Sequence, residues 1–275
     1  MRIFVAGVRK LVGRPASFVT VGLLLGLLVL IIIASATVSA RAETPQAQAR
    51  ALALVTFPAA YDLILEFMFG LGGLFAVIYG AAIAGSEWGW GTLKNAVARG
   101  ESRARYMLTT FAAIALMIGV GLAITFVLGV AAAVLGANIA GVSTSGLNDA
   151  DTLARLPEQF VRGWFAVVEE AALGFAIATL ARSQLAGIGA GIAFYFGETF
   201  ATIFLPDIVK YFPFAVARAS VNTGATSGGG FGGGGDGGQG LASLPADTAL
   251  LLVAAWLIGS LLVATLFTER AEITG

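Results

Sequence analysis

Long apolar runs alternate with short polar stretches along the whole chain. A membrane-spanning helix needs about 20 mostly apolar residues. Six runs reach that length: 18–40, 63–84, 106–136, 161–181, 184–205 and 248–268. The pattern predicts an all-α membrane protein, a single transmembrane domain over 1–275, with both termini on one side. The first run holds no charged residue between Phe18 and Ala40. A secretory signal is the rival reading, because Arg2, Arg9, Lys10 and Arg14 precede the run and "VSARA" resembles a cleavage site. The apolar core of a signal is about 7–15 residues long. This run is longer, so the expectation is an uncleaved span.

Lysine and arginine orient the spans. One set of flanks holds Arg2, Arg9, Lys10, Arg14, Lys94, Arg99, Arg103, Arg105, Arg182 and Arg270, ten of the sixteen basic residues. The other set holds Arg41, Arg50, Arg155, Arg162, Lys210 and Arg218. The first set is read as cytoplasmic, which puts both termini in the cytoplasm and the protein in the inner membrane of the cell. Residues 1–16 carry a second pattern. Phe4, Val8, Leu11 and Val12 share one helical face and the bases fall opposite. Either this is an amphipathic helix lying in the membrane interface, or it is a disordered basic leader that serves topology alone.

Composition agrees with a lipid-facing surface. The chain is 58% hydrophobic and 12% charged, with mean hydropathy +0.90, whereas a soluble domain is about 25% charged. The net charge is zero, so nothing favours nucleic acid as a partner. There is no cysteine and no histidine. That excludes disulfides, Cys/His zinc sites, haem on a His or Cys ligand, and histidine-based catalytic triads.

The connecting segments differ in character. Residues 41–60 are polar and alanine-rich, and 137–160 hold Asn148, Asp149, Asp151 and Glu158. The external loop 206–247 contains "SGGGFGGGGDGGQG", Ser227 to Gly240. Glycine at that density behaves as a flexible tether. Before it, "PDIVKYFPFAVARA" (206–219) mixes aromatic and apolar residues with two prolines and reads as a short re-entrant or interfacial segment.

The segment 85–105 is the most informative. It reads "GSEWGWGTLKNAVARGESRAR" and joins the second and third runs on the cytoplasmic side. Gly89 and Gly91 disfavour a continuous helix. Thr92 is a candidate cap for a new short helix, Gly100 a candidate left-handed C-terminal residue, and Ser102 a candidate cap for the third span. At helical spacing Trp90, Leu93 and Val97 share one side, and Glu87, Lys94, Asn95 and Arg99 the other. The bland alternative is an interfacial loop with tryptophan anchors and positive-inside arginines.

The order of residues resembles one family. "AGSEWGWGTLKNAVARGESRARYML" (84–108) is similar to the segment after the second span of ABC-2-type transporter permeases, with its Glu-x-x-x-Gly-Thr-Leu-basic core and small-Ser-Arg turn. The matches are Glu87, Gly91, Thr92, Leu93, Lys94, Ser102 and Arg103. Many relatives carry proline near the turn, where this chain has Arg99-Gly100-Glu101. That fits the bacitracin- and sodium-exporter-like branch. The resemblance implies a coupling helix that docks on a separate ATPase, with Glu87, Trp88, Gly91, Thr92, Leu93, Lys94, Arg99 and Arg103 as its residues. It implies two ATPase subunits, which bind ATP and Mg, and a second copy of this chain or a related permease. This chain would bind no cofactor and would not itself be an enzyme. No G-x-x-x-x-G-K-[ST] loop occurs in it.

Glu169 and Glu170 lie inside the fourth predicted span and Glu198 inside the fifth. Ionisable groups at such depth are costly and face a cavity or a partner. Either they line a translocation path, or they are structural, with Arg162 reaching along the helix to neutralise Glu169. The pair resembles that of intramembrane CAAX-type proteases, but the arginine those enzymes carry four residues on is Gly174 here, and histidine is missing. A secondary transporter or channel using the glutamates is the alternative function. It would show repeats or broken helices in both halves, and no clear repeat is visible. Gly187, Gly189 and Gly191, like Gly22, Gly26 and Gly119, read as sites of close helix packing.

Overall fold

The computed structural model describes residues 2–39, 44–221 and 244–271. Among them the regular structure is helical, with no strand. The six long helices are α2 (Pro15–Ser39), α4 (Ala59–Gly89), α6 (Arg103–Ala140), α7 (Ala150–Ala181), α8 (Gln184–Phe204) and α11 (Ala246–Arg270). All six are long and apolar enough to cross a membrane. Short helices join them: α1 (Arg2–Val12), α3 (Pro45–Ala53), α5 (Thr92–Ala98), α9 (Pro206–Val209) and α10 (Pro213–Ser220). The glycine-rich stretch 227–240 lies outside the described residues.

The predicted runs sit inside the observed helices to within a residue at their ends, and the largest difference is at α7. It starts at Ala150, eleven residues before the predicted span at 161. The extension is polar and contains Pro157, which is why it reads as loop. It holds because Asp149 caps it: the Asp149 carboxylate accepts from the Thr152 amide at 3.0 Å and the Thr152 hydroxyl at 2.6 Å. Further along the helix, Arg162 pairs with Glu158 at 2.9 Å. Helix α6 is longer than a bilayer requires, since 38 residues at about 1.5 Å each give about 57 Å.

Helices α4 and α7 form the centre. In each, 67% of the most apolar stretch is buried inside the protein, against 17–39% in the other four. Their seam is made by glycine. A Cβ on Gly80 would fall 2.2 Å from the Ala171 carbonyl oxygen, and one on Gly174 would fall 2.2 Å from the Val77 carbonyl oxygen. Helix α8 joins the same way, through Gly187 against Ala178 and Gly191 against Val77. Gly119 lies against the Trp164 ring. Gly22, Gly26 and Gly189 face open space instead, so the close packing expected there is not within this chain. Large apolar residues such as Leu23, Leu27 and Leu30 on α2 and Phe200 and Phe204 on α8 are exposed, as lipid-facing positions are.

Candidate functional site

The segment singled out in the sequence lies at the end of the bundle that also holds α1 and the C-terminal end of α11. Helix α4 runs on to Gly89, and the chain turns at Trp90 and Gly91. Gly91 takes φ +65°, a left-handed conformation that glycine adopts without strain. Helix α5 follows, with Leu93 buried and Lys94, Asn95 and Arg99 exposed. It closes as expected. The Glu101 amide bonds the Ala96 carbonyl at 3.2 Å and the Gly100 amide bonds that of Val97 at 2.9 Å, with Gly100 at φ +86°. This is the paired hydrogen-bond pattern of a left-handed glycine stop. Ser102 caps α6 by accepting from the Arg105 amide.

Glu87 is placed differently from the expectation. It does not lie on the polar face of α5. It belongs to the last turn of α4 and is 0% exposed. Its Oε1 accepts from Lys10 Nζ at 2.6 Å and Arg14 Nη2 at 3.2 Å. Its Oε2 accepts from the hydroxyls of Thr92 and Tyr106. Arg14 Nη1 also donates to the Ser86 hydroxyl at 2.7 Å. One carboxylate therefore ties α1, α4, α5 and α6 together. Thr92, expected as a cap, spends its hydroxyl on Glu87, and Gly91 stands at the capping position. Trp90 is not on the buried side either. It is 66% exposed, with the Arg14 guanidinium 4.8 Å above its ring. Helical counting through 85–99 as one element assigned both residues to α5, and the break at Gly91 separates them from it.

Trp88 and Arg103 face the end of α11. The Trp88 ring meets Phe267 edge-on at 6.5 Å, and the Arg182 guanidinium lies 5.2 Å from each of the two rings. Arg103 Nη1 donates to the carbonyls of Thr268, Glu269 and Ala271 at 3.3, 3.0 and 2.7 Å. Those carbonyls end a helix and have no partner within it, so the cation suits them by charge and by hydrogen bonding.

The acids within the spans form a second group. Glu169 is 0% exposed, and Glu170 and Glu198 are also buried. Both oxygens of Glu169, Oε2 of Glu170 and Oε1 of Glu198 have no hydrogen-bond partner. Gly73 makes room for Glu170: a Cβ there would fall 1.9 Å from Glu170 Oε2. Glu198 Oε2 accepts from the Phe214 amide in the first turn of α10 at 3.2 Å, and Arg218 of the same helix approaches Oε1 at 3.9 Å. Arg162 does not neutralise Glu169. It pairs with Glu158 and, at 2.8 Å, with Asp247 at the start of α11. The cation near the group is Arg218, which sequence reading placed in an outer flank without linking it to the acids, because only the fold of 206–220 brings it to α8. Asp62 and Glu66, in the first turns of α4, were also passed over.

Comparison with protein-family models gives no match, and comparison with curated proteins gives none.

Proposed function

We propose that this chain is the membrane-embedded subunit of an ABC-2-type transporter, an exporter driven by a separate ATPase. The observation that supports it best is the segment around α5. A Glu-x-x-x-Gly-Thr-Leu-Lys order coincides with a short helix that exposes Lys94, Asn95 and Arg99 and is tied through Glu87 to α1, α4 and α6. In this reading α1 lies in the cytoplasmic interface and α5 is the element on which the ATPase acts. Two ATPase subunits carry ATP and Mg, and the membrane part is completed by a second copy or a related permease. Both termini are cytoplasmic.

The residues to test are the exposed ones, because Glu87 has a structural task. Reversing charge at Lys94 and Arg99 together is expected to abolish co-purification with the ATPase, or ATP-dependent transport, while the subunit stays folded in the membrane. Unchanged assembly and transport would overturn the reading. A second reading, a carrier that uses intramembrane acids, draws on the unpartnered oxygens of Glu169 and Glu170. Glutamine at both positions separates the two. Loss of transport with intact ATPase assembly gives the acids a place in translocation, and full transport removes them from it.

A further inference from the structure

A half-open recess lies among α2, α4, α6 and α7, and Glu169, Glu170 and Glu198 are not among its lining residues. Its enclosed space is about 50 Å³, and about 460 Å³ with the open side counted. One end is lined by Ser17, Thr20 and Tyr79, and the other by Leu24, Phe75 and Leu122. From Ser17 to Leu24 is seven residues of helix, or about 10 Å. Two of its lining positions are glycine. A Cβ on Gly121 would fall 2.7 Å from a Val21 methyl, and one on Gly72 would stand 3.7 Å from methyls of Leu24 and Leu122.

The hydroxyls at the polar end are already used. Ser17 Oγ donates to the Leu11 carbonyl at 2.7 Å and shares a 2.8 Å hydrogen bond with Tyr79. Thr20 donates to the Ala16 carbonyl at 2.8 Å. A water needs two or more polar partners, and little remains here to supply them. The chemistry that fits is a hydrocarbon chain. The polar end abuts α1: the Ser17 amide bonds the carbonyl of Arg14, which shares Glu87 with Lys10. Two cations against one carboxylate leave one positive charge, the Lys10 side chain is 33% exposed, and Arg9 is exposed beside it. Val5 and Val12 of α1 are exposed as well, which suits a helix resting among headgroups.

We infer that the recess seats a short stretch of one acyl chain of an anionic phospholipid from the leaflet beside α1, with the rest of the chain on the open side and the headgroup phosphate on the basic side of α1. The site is independent of any ATPase partner. The test uses the full-length protein in nanodiscs of phosphatidylglycerol and phosphatidylcholine, read by native mass spectrometry. Wild-type protein is expected to retain one phosphatidylglycerol per chain after other lipids are stripped. Gly72→Leu, and independently Thr20→Phe from the α2 wall, should remove that retained lipid. Arg9→Gln should keep a lipid but lower the preference for phosphatidylglycerol about fivefold, from roughly 1 kcal/mol per basic residue near a membrane surface. A diazirine on the acyl chain supplies a readout without variants: adducts should concentrate on α2, α4 and α6. Lipid retention unchanged in both filling variants, or adducts spread evenly over the exposed faces of α8 and α11, would overturn the site. An unchanged preference in Arg9→Gln would overturn its anionic selectivity.

Discussion

Glu87 and Glu169 are the same residue type, both fully buried, in helices that pack against each other. Glu87 accepts four hydrogen bonds from three other elements. Glu169 accepts none on either oxygen. The difference teaches what burial does to a carboxylate. With cations and hydroxyls around it, the charge becomes a fastener, and its removal strands the partners. Without them, the group has no hydrogen bond to lose, so its replacement strands no partner.

The sharpest way to break the comparison is to neutralise each acid. Glu87→Gln leaves Lys10 and Arg14 sharing a neutral acceptor. Breaking a buried pair costs about 3–5 kcal/mol, and the low end applies because Lys10 is partly open. Thermal unfolding in detergent should register it, together with faster proteolysis between α1 and α2. Next in size is Gly73→Ala, whose methyl would meet the Glu170 carboxylate. Overpacking of this kind costs about 1–3 kcal/mol. Glu170→Ala in the same chain should recover part of that loss, and strict additivity of the two changes would argue that they do not touch. Glu169→Gln comes third: with no hydrogen bond to lose, it should shift stability by less than about 1 kcal/mol. A loss comparable to that of Glu87→Gln would erase the distinction between the two sites.

The smallest effect is at Asp149, a partly exposed acid held below the usual carboxylate range chiefly by the Thr152 hydroxyl and amide. A lowered folded-state pKa adds stability that is full above the unfolded value, about 3.9, and is lost as pH falls through the folded one. Asp149→Asn keeps a capping side chain. It should leave stability at neutral pH nearly unchanged and flatten its decline in acid, as followed by helix content in an acid titration.

The spans were legible because length and apolarity alone specify them. So were the stop at Gly100 and the cap at Ser102, where the signal is local and the residue type carries the geometry. Glu87 was misjudged because its partners Lys10 and Arg14 are 77 and 73 residues away in the chain. A helical wheel holds no information about such contacts. The polar start of α7 was missed because its support comes from a cap and from Asp247 on another helix. Arg218 was missed for the same reason: it meets Glu198 only once α10 is folded against α7 and α11.

The glycine seam between α4 and α7 has a mechanical consequence. Where Gly80 and Gly174 meet the opposing carbonyls, no layer of side chains separates the two backbones. Packed helices commonly shift by exchanging side-chain rotamers, and at these two points there are none to exchange. Sliding there would drive backbone atoms into each other, so this contact resists relative movement of α4 and α7. Rearrangement of the bundle is accommodated more readily at its periphery, by α2 and α11, whose most apolar stretches are only 22% and 17% buried.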